Sequence, residues 1–170
     1  SAWQGGDFAS GGVYPAELAL DNITGDSGNF THTQGGLSSD QWWKANLGES
    51  MQIQQVNIEN RVGCCPERLR DITVTVLDGS GTTLWTSALL NPGNALGGPA
   101  VLSLDIQSLN GGVPILGNQV VITRTSSSAT DDGNILAMSE VNIIGGSIPE
   151  PTSYLALGLG LCLVTARRKR

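Results

Sequence analysis

Ten consecutive residues concentrate the groups able to do chemistry: Arg61-Val62-Gly63-Cys64-Cys65-Pro66-Glu67-Arg68-Leu69-Arg70. They hold two adjacent cysteines and three of the five basic residues that precede residue 167. An arginine has no acceptor; it presents a rigid fork of N–H donors to oxygen atoms. Such forks around a sulfur pair make a donor-rich site with an apolar plate beside it. That combination suits a small polar ligand with one apolar face, and a sugar fits it best. Most disulfides span about 4.4–6.8 Å between Cα atoms, whereas neighbours sit about 3.8 Å apart across a trans peptide. A Cys64–Cys65 bond therefore closes a tight ring and adds little stability, because the loop it closes is minimal. The alternative is a pair of reduced, buried thiols that happen to be adjacent.

Charge excludes one class of partner. The chain carries a formal −6, and the four positive charges at 167–170 leave −10 on residues 1–166. A domain that acidic has no footprint for a nucleic-acid backbone, so the arginines at 61, 68 and 70 are a local feature. The third cysteine, Cys162, lies in an apolar C-terminal run. No CxxC or His/Cys zinc spacing occurs, and His32 is the sole histidine. Paired, Cys64 and Cys65 fit an oxidising compartment. With one histidine and no Gly-x-Ser-x-Gly, no nucleophilic triad assembles. Glu67 and Asp71 flank the arginines, and pairing with them is a simpler role than a glycosidase acid pair. The expectation is a protein that is not an enzyme.

The site needs elements to position it. Period-2 alternation marks strands at Ile72, Val74 and Val76, at Leu102, Leu104 and Ile106, at Val56 and Ile58, and at Val141 and Ile143. Turn signals separate them: Asp78-Gly79-Ser80-Gly81, Asn91-Pro92-Gly93-Asn94, Asn110-Gly111-Gly112 and Asp131-Asp132-Gly133-Asn134. Trp42-Trp43 is read as packing, with one indole in the core. The fold expected is all-β, an antiparallel sandwich or barrel.

Beyond Ser147 the composition changes abruptly. Pro149-Glu150-Pro151 leads to an apolar run of 13 residues, Tyr154 to Ala166, and then to Arg167-Arg168-Lys169-Arg170. A comfortable span needs about 20 residues, and the basic end follows the positive-inside rule. The pattern resembles the bacterial PEP-CTERM sorting signal. That resemblance implies a domain over 1–146, a sorting tail over 147–170, cleavage by an exosortase, and delivery to the envelope or extracellular matrix. Membrane contact would come only through the tail. The first residue is Ser, which reads as a processed or truncated product.

Within 2–146 a series of motifs occurs in order: Ala19-Leu20-Asp21, Thr31-His32-Thr33, Trp42-Trp43 with Asn46-Leu47-Gly48, Val56-Asn57-Ile58-Glu59-Asn60-Arg61, Cys64-Cys65-Pro66-Glu67-Arg68-Leu69 and Met138-Ser139-Glu140-Val141-Asn142-Ile143. Together they resemble the F-type lectins, or fucolectins, of the discoidin and coagulation-factor type C superfamily. The resemblance implies a jelly-roll, galactose-binding-like sandwich that binds terminal L-fucose or a related sugar on glycans. It implies that His32, Arg61 and Arg68 hydrogen-bond the sugar and that a Cys64–Cys65 disulfide packs against its ring. It also implies a structural Ca²⁺ held by Asp21 and Glu140, with Leu18 and Asn29 serving through backbone or amide oxygens; oxygen-only ligation suits that hard cation. Turn capping is the other use of Asp21. Two departures stand out. Gly63 replaces an aspartate that helps hold the first arginine, a task Glu67 is placed to take over. The cysteines expected near Phe30 and Ser139 are absent. Neither His32 nor Arg68 reads as a core residue. The other readings are a discoidin-like adhesion module for a different glycan, protein or lipid, and a structural matrix domain with a degenerate sugar site.

Overall fold

The computed structural model describes residues 1–6, 14–35, 39–126 and 133–147. Among these, eight strands form one antiparallel system: β1 (Ala2–Gln4), β2 (Thr31–His32), β3 (Gln41–Asn60), β4 (Ile72–Leu77), β5 (Thr83–Thr86), β6 (Val101–Asp105), β7 (Ile115–Arg124) and β8 (Ala137–Ser147). The all-β expectation holds. Residues 148–170, which carry the Pro-Glu-Pro tail and Cys162, lie outside the described residues, as do Asp131 and Asp132. Among the described residues no helix is long and apolar enough to cross a membrane.

One strand organises the sandwich. The first part of β3 pairs with β1 and β7; its last residues pair with β6 and β8. It therefore belongs to both layers. The side-chain parity shows how it bends. Trp43, Ala45 and Ile53 face the core at odd positions, and Val56, Ile58 and Asn60 do so at even ones. A strand that changes parity must contain an extra residue, and the register shifts between Ile53 and Gln55. A second irregularity lies between Asn46 and Met51, where Gly48 takes a φ of 86° that disfavours other side chains.

Ile72, Val74 and Val76 of β4, Val120 and Ile122 of β7, and Leu102 and Leu104 of β6 fill the space between the layers. Each such buried aliphatic side chain contributes about 1.5–3 kcal/mol of transfer free energy. Trp43 is fully buried and its indole N–H donates to the Ala16 carbonyl at 2.9 Å, whereas Trp42 faces outward. Ile106 is also buried, but in a short helix (Ile106–Leu109) rather than in β6. The cause is Asp105, whose carboxylate accepts from the Ser108 N–H and hydroxyl and caps the turn. In β8, Ala137 to Val141 are all buried, because the chain around Asn22 covers the outer side at Glu140.

Candidate functional site

The end of β3 that carries Arg61 is firmly pinned. Asn60 is buried, and its amide donates to the Pro66 carbonyl at 2.8 Å and the Pro99 carbonyl at 3.0 Å. Its own carbonyl accepts from the Ser139 hydroxyl at 2.6 Å. The chain then reverses through Gly63 and Cys65, at φ 88° and 58°. It enters a single 3₁₀ turn, Pro66–Arg68, opened by the proline, and is anchored by Leu69, which is fully buried. This short excursion returns Arg68 to the neighbourhood of Arg61. The sulfurs of Cys64 and Cys65 are joined within it, across Cα atoms 3.8 Å apart.

The missing aspartate has a local cause. A Cβ on Gly63 would stand 3.1 Å from the Ser27 Cβ, on a backbone at φ +88°. Arg61 is held by a different device. Its guanidinium carbon lies 3.9 Å from the Phe30 ring centroid, and Phe30 stacks on Tyr14 with centroids 4.4 Å apart and planes 16° from parallel. A guanidinium over an aromatic face gains about 0.5–2 kcal/mol. Among the described residues Arg61 makes no ion pair; Glu67 acts on it only through space. Burial first, and the neighbouring Arg68 second, push the Arg61 pKa down, though a guanidinium remains charged.

His32 ends β2 and corrects one expectation. It is 3% exposed, a buried residue where the sequence reads a non-core one. The rings of Tyr14 and Phe30, each with a centroid 6.1 Å from that of His32, help to cover it. Its Nε2 lies 3.1 Å from Nη1 of Arg68, and its Nδ1 lies 2.7 Å from the Thr33 carbonyl. Arginine only donates, so Nε2 is the acceptor and Nδ1–H donates to Thr33. The imidazole is therefore neutral and of one tautomer. Its pKa is lowered to about 4, chiefly by burial and further by the charges of Arg68 and Arg61, with the Thr33 carbonyl opposing. In this arrangement His32 aims Arg68.

The structure thus brings His32, Arg61 and Arg68 together around the disulfide turn. The charge of Arg68 lies close enough to lower the Arg61 pKa, and neither guanidinium makes an ion pair among the described residues, in a domain that is acidic elsewhere. Their Nε atoms are buried with no hydrogen-bond partner among the described residues. Beside the two arginines opens a cleft of about 460 Å³, which shares Arg61 but not His32 or Arg68.

A second cluster joins the other predicted positions. Asp21 follows the 3₁₀ turn Ala16–Leu20, which contains Leu18. Glu140 of β8 is buried, and its Oε2 accepts from the Asn22 N–H at 2.9 Å. Burial first, then the charges of Asp21 and Glu59, raise the Glu140 pKa. The Nδ2 of Asn29 donates to both oxygens of Asp21, at 3.1 and 3.0 Å, which leaves the backbone carbonyl as the oxygen Asn29 would offer a cation. Among the described residues no three His, Cys, Asp or Glu side chains form a metal cage. A buried carboxylate strained by two neighbouring carboxylates nevertheless fits a hard cation completed by carbonyl oxygens.

Tyr14, Phe30 and Asn60 are the positions that residue patterns did not single out. With two Phe and two Tyr in the whole chain, an aromatic two residues before the sole histidine was the available signal.

Residues 19–94 match the family model described as NedA-like, galactose-binding domain. Fucolectin-6 of Anguilla japonica is 35% identical over 54 residues, a stretch that spans 32% of this chain and only 28% of that relative. A Streptococcus pneumoniae fucose-binding module, SpX-3, superposes with a TM-score of 0.66 at 22% identity, over 85% of this chain and 92% of that one. The lectin domain of lectinolysin, solved with Lewis B antigen, gives 0.66 at 19% identity, over 86% and 93%. The fold is the discoidin-like, galactose-binding sandwich. In this discoidin-like sandwich the arginine cluster sits where β2 and β3 give way to loops.

Proposed function

We propose that the described domain is a non-catalytic lectin that recognises terminal L-fucose, or a closely related sugar, through Arg61 and Arg68. The observation that carries this reading is the pair of guanidiniums without an ion-pair partner among the described residues, one laid on Phe30 and the other aimed by neutral His32, beside the Cys64–Cys65 disulfide. Guanidinium forks supply donors to vicinal hydroxyls and the ring oxygen. The disulfide supplies an apolar surface without rotatable bonds. The likeness to fucose-binding modules and to a fucolectin segment supports the same ligand class. Affinity per site falls in the micromolar to millimolar range, about −4 to −8 kcal/mol, and display of many copies on a surface multiplies it. Ca²⁺ at Asp21 and Glu140, completed by carbonyls of Leu18 and Asn29, is part of this proposal and serves the fold. So are export, exosortase processing, and membrane contact through the tail alone.

Calorimetry on the oxidised 170-residue chain with calcium tests it. Saturable heat with L-fucose and none with galactose is the expected result. Heat with galactose alone favours the reading that the matched family description carries, a galactose-binding domain. No heat with either sugar up to tens of millimolar overturns the proposal.

A further inference from the structure

Gln4 of β1 points into the domain although it is polar. Its cross-strand partner is Trp43, which is fully buried, and Ala2 on the same face of β1 is buried as well. Trp3, between them, faces outward. Alternate residues of a strand share a face, so position 4 is one where an apolar side chain would pack. A polar group turned inward costs free energy unless it is hydrogen-bonded. The partners of the Gln4 amide therefore show what the residue is placed for.

Those partners lie on the segments that support the two arginines. Nε2 of Gln4 donates to the Tyr14 carbonyl at 2.9 Å and to the His32 carbonyl at 3.2 Å. Its Oε1 accepts from the hydroxyl of Thr31, which is buried. Carbonyls only accept, so the nitrogen of the amide is the atom that faces them. The Tyr14 carbonyl also accepts from the His32 N–H at 3.2 Å, and three stretches of chain distant in sequence thus close on one side chain. The strand that carries it is fixed. The Gly5 N–H donates to the Trp42 carbonyl at 2.8 Å, and the Gly6 carbonyl accepts from the Gln34 N–H at 3.1 Å. Two lines of contact leave the amide. The Tyr14 ring stacks on Phe30, over which Arg61 lies. His32 meets Nη1 of Arg68 through its Nε2 at 3.1 Å.

We infer that Gln4 is the positioning residue common to both arginines: its amide holds the Tyr14 segment, and with it the Phe30 platform under Arg61, and it holds the His32 segment, and with it the ring that aims Arg68. A guanidinium is a rigid fork, so a shift of its support moves all its donors together. The inference rests on the lectin reading for its sugar readout. It adds that the relative placement of the two forks is set from β1, a strand outside the arginine cluster.

Gln4→Met keeps the length of the side chain and removes its donors and its carbonyl oxygen. Calorimetry of the 170-residue variant with L-fucose should show binding about tenfold weaker than wild type, the scale of the hydrogen bonds removed. A merely structural role would lower Tm and leave the folded molecules unaltered, so the second readout is the His32 imidazole titration by NMR. It should rise from about 4 toward the ordinary value of about 6.5 as the ring loses its fixed, buried place. Trp3→Ser is the control. It weakens the same strand by removing the ring that lies 5.3 Å from the Lys44 ammonium, yet it leaves the amide in place; its fucose affinity should stay within about twofold of wild type and its imidazole near 4. Gln4→Glu, which keeps the shape and replaces the N–H donors by a carboxylate oxygen, takes the place of Gln4→Met if that variant fails to fold, with sugar affinity as its readout. Unchanged affinity or an unmoved imidazole in folded Gln4→Met overturns the inference, as does unchanged affinity in Gln4→Glu where that variant is used. Equal losses in Trp3→Ser also overturn it, because the strand and not the amide would then matter. A wild-type chain that binds no fucose removes the lectin reading alone, since the imidazole titration still reports whether Gln4 holds His32.

Discussion

Acidification singles out His32. Its imidazole titrates near 4 in the folded protein and at about 6.5 in an unfolded chain. A depressed pKa means that the unfolded chain binds the proton first, so stability is intact above about pH 6.5 and is lost as the pH falls toward 4. Between pH 7 and pH 5 the two pKa values give a loss of about 2 kcal/mol. With a urea slope of about 1–3 kcal/mol/M that loss lowers the unfolding midpoint by about 1 M. Other groups act elsewhere or in the opposite sense. Asp78 and Asp105 have lowered pKa values, from hydrogen bonds of Ser80 and Thr82 and of Ser108, so their contributions are lost only at and below about pH 4. The raised pKa of Glu140 works against the loss, since protonation favours its buried form. Comparison with His32→Gln cancels these shared terms. Urea melts of wild type and variant at pH 7 and pH 5 should show a wild-type midpoint that falls by about 1 M more than that of the variant. An imidazole titration followed by NMR supplies the direct check. Parallel pH dependence in both proteins, or a folded imidazole that titrates near 6.5, refutes the argument. It would mean that Arg68 does not donate to a neutral, buried ring. Sugar affinity should fall through the same window near pH 4, because a protonated Nε2 turns a donor toward Arg68.

Three further outcomes follow from other parts of the structure. Ca²⁺ at 100 times its dissociation constant should stabilise the chain by about 2.7 kcal/mol, read as a rise of several degrees in Tm; Glu140→Gln should abolish the rise, and an unchanged response would place the ion elsewhere. Gly98→Ala forces a Cβ at φ +78° to within 2.9 Å of the Pro66 carbonyl carbon, which should cost about 1–3 kcal/mol in a denaturant melt. Phe30→Leu removes the platform under Arg61 while keeping bulk, and calorimetry should show a loss of sugar affinity of about 0.5–2 kcal/mol; unchanged affinity would show that the ring does not orient the guanidinium.

Local pattern exposed some of the architecture and concealed the rest for identifiable reasons. The alternation at Ile72, Val74 and Val76 maps onto β4 because that strand keeps one parity from end to end. The 20 residues of β3 do not. A bulge switches the buried set from odd to even positions, so only Val56 and Ile58 are legible as a strand and the path from Trp42 is not. Ile106 continues the alternation of Leu102 and Leu104 in sequence, yet the Asp105 cap turns it into a helix. The cysteine pair and its flanking arginines were legible because unusual residue types lie close together in the chain. His32 was legible as a partner only through resemblance, and its burial was hidden because the Tyr14 ring, which joins Phe30 in covering it, comes from a separate stretch.

At Gly63 the aspartate that the resemblance implies is absent, and Arg61 is restrained by another device. A side chain at 63 must adopt φ +88° and stand 3.1 Å from the Ser27 Cβ, so an aspartate there would be strained. The arginine it would have oriented needs a restraint, and a flat aromatic face supplies one that carries no charge. The exchange has an electrostatic consequence. A carboxylate would neutralise one guanidinium and occupy its donors, whereas Phe30 does neither. Arg61 therefore keeps its N–H groups out of any ion pair among the described residues, and it keeps the charge of Arg68 nearby. In the proposed lectin, acceptor oxygens of the sugar between the two arginines would offset that repulsion, with neutral His32 holding the second arginine in place.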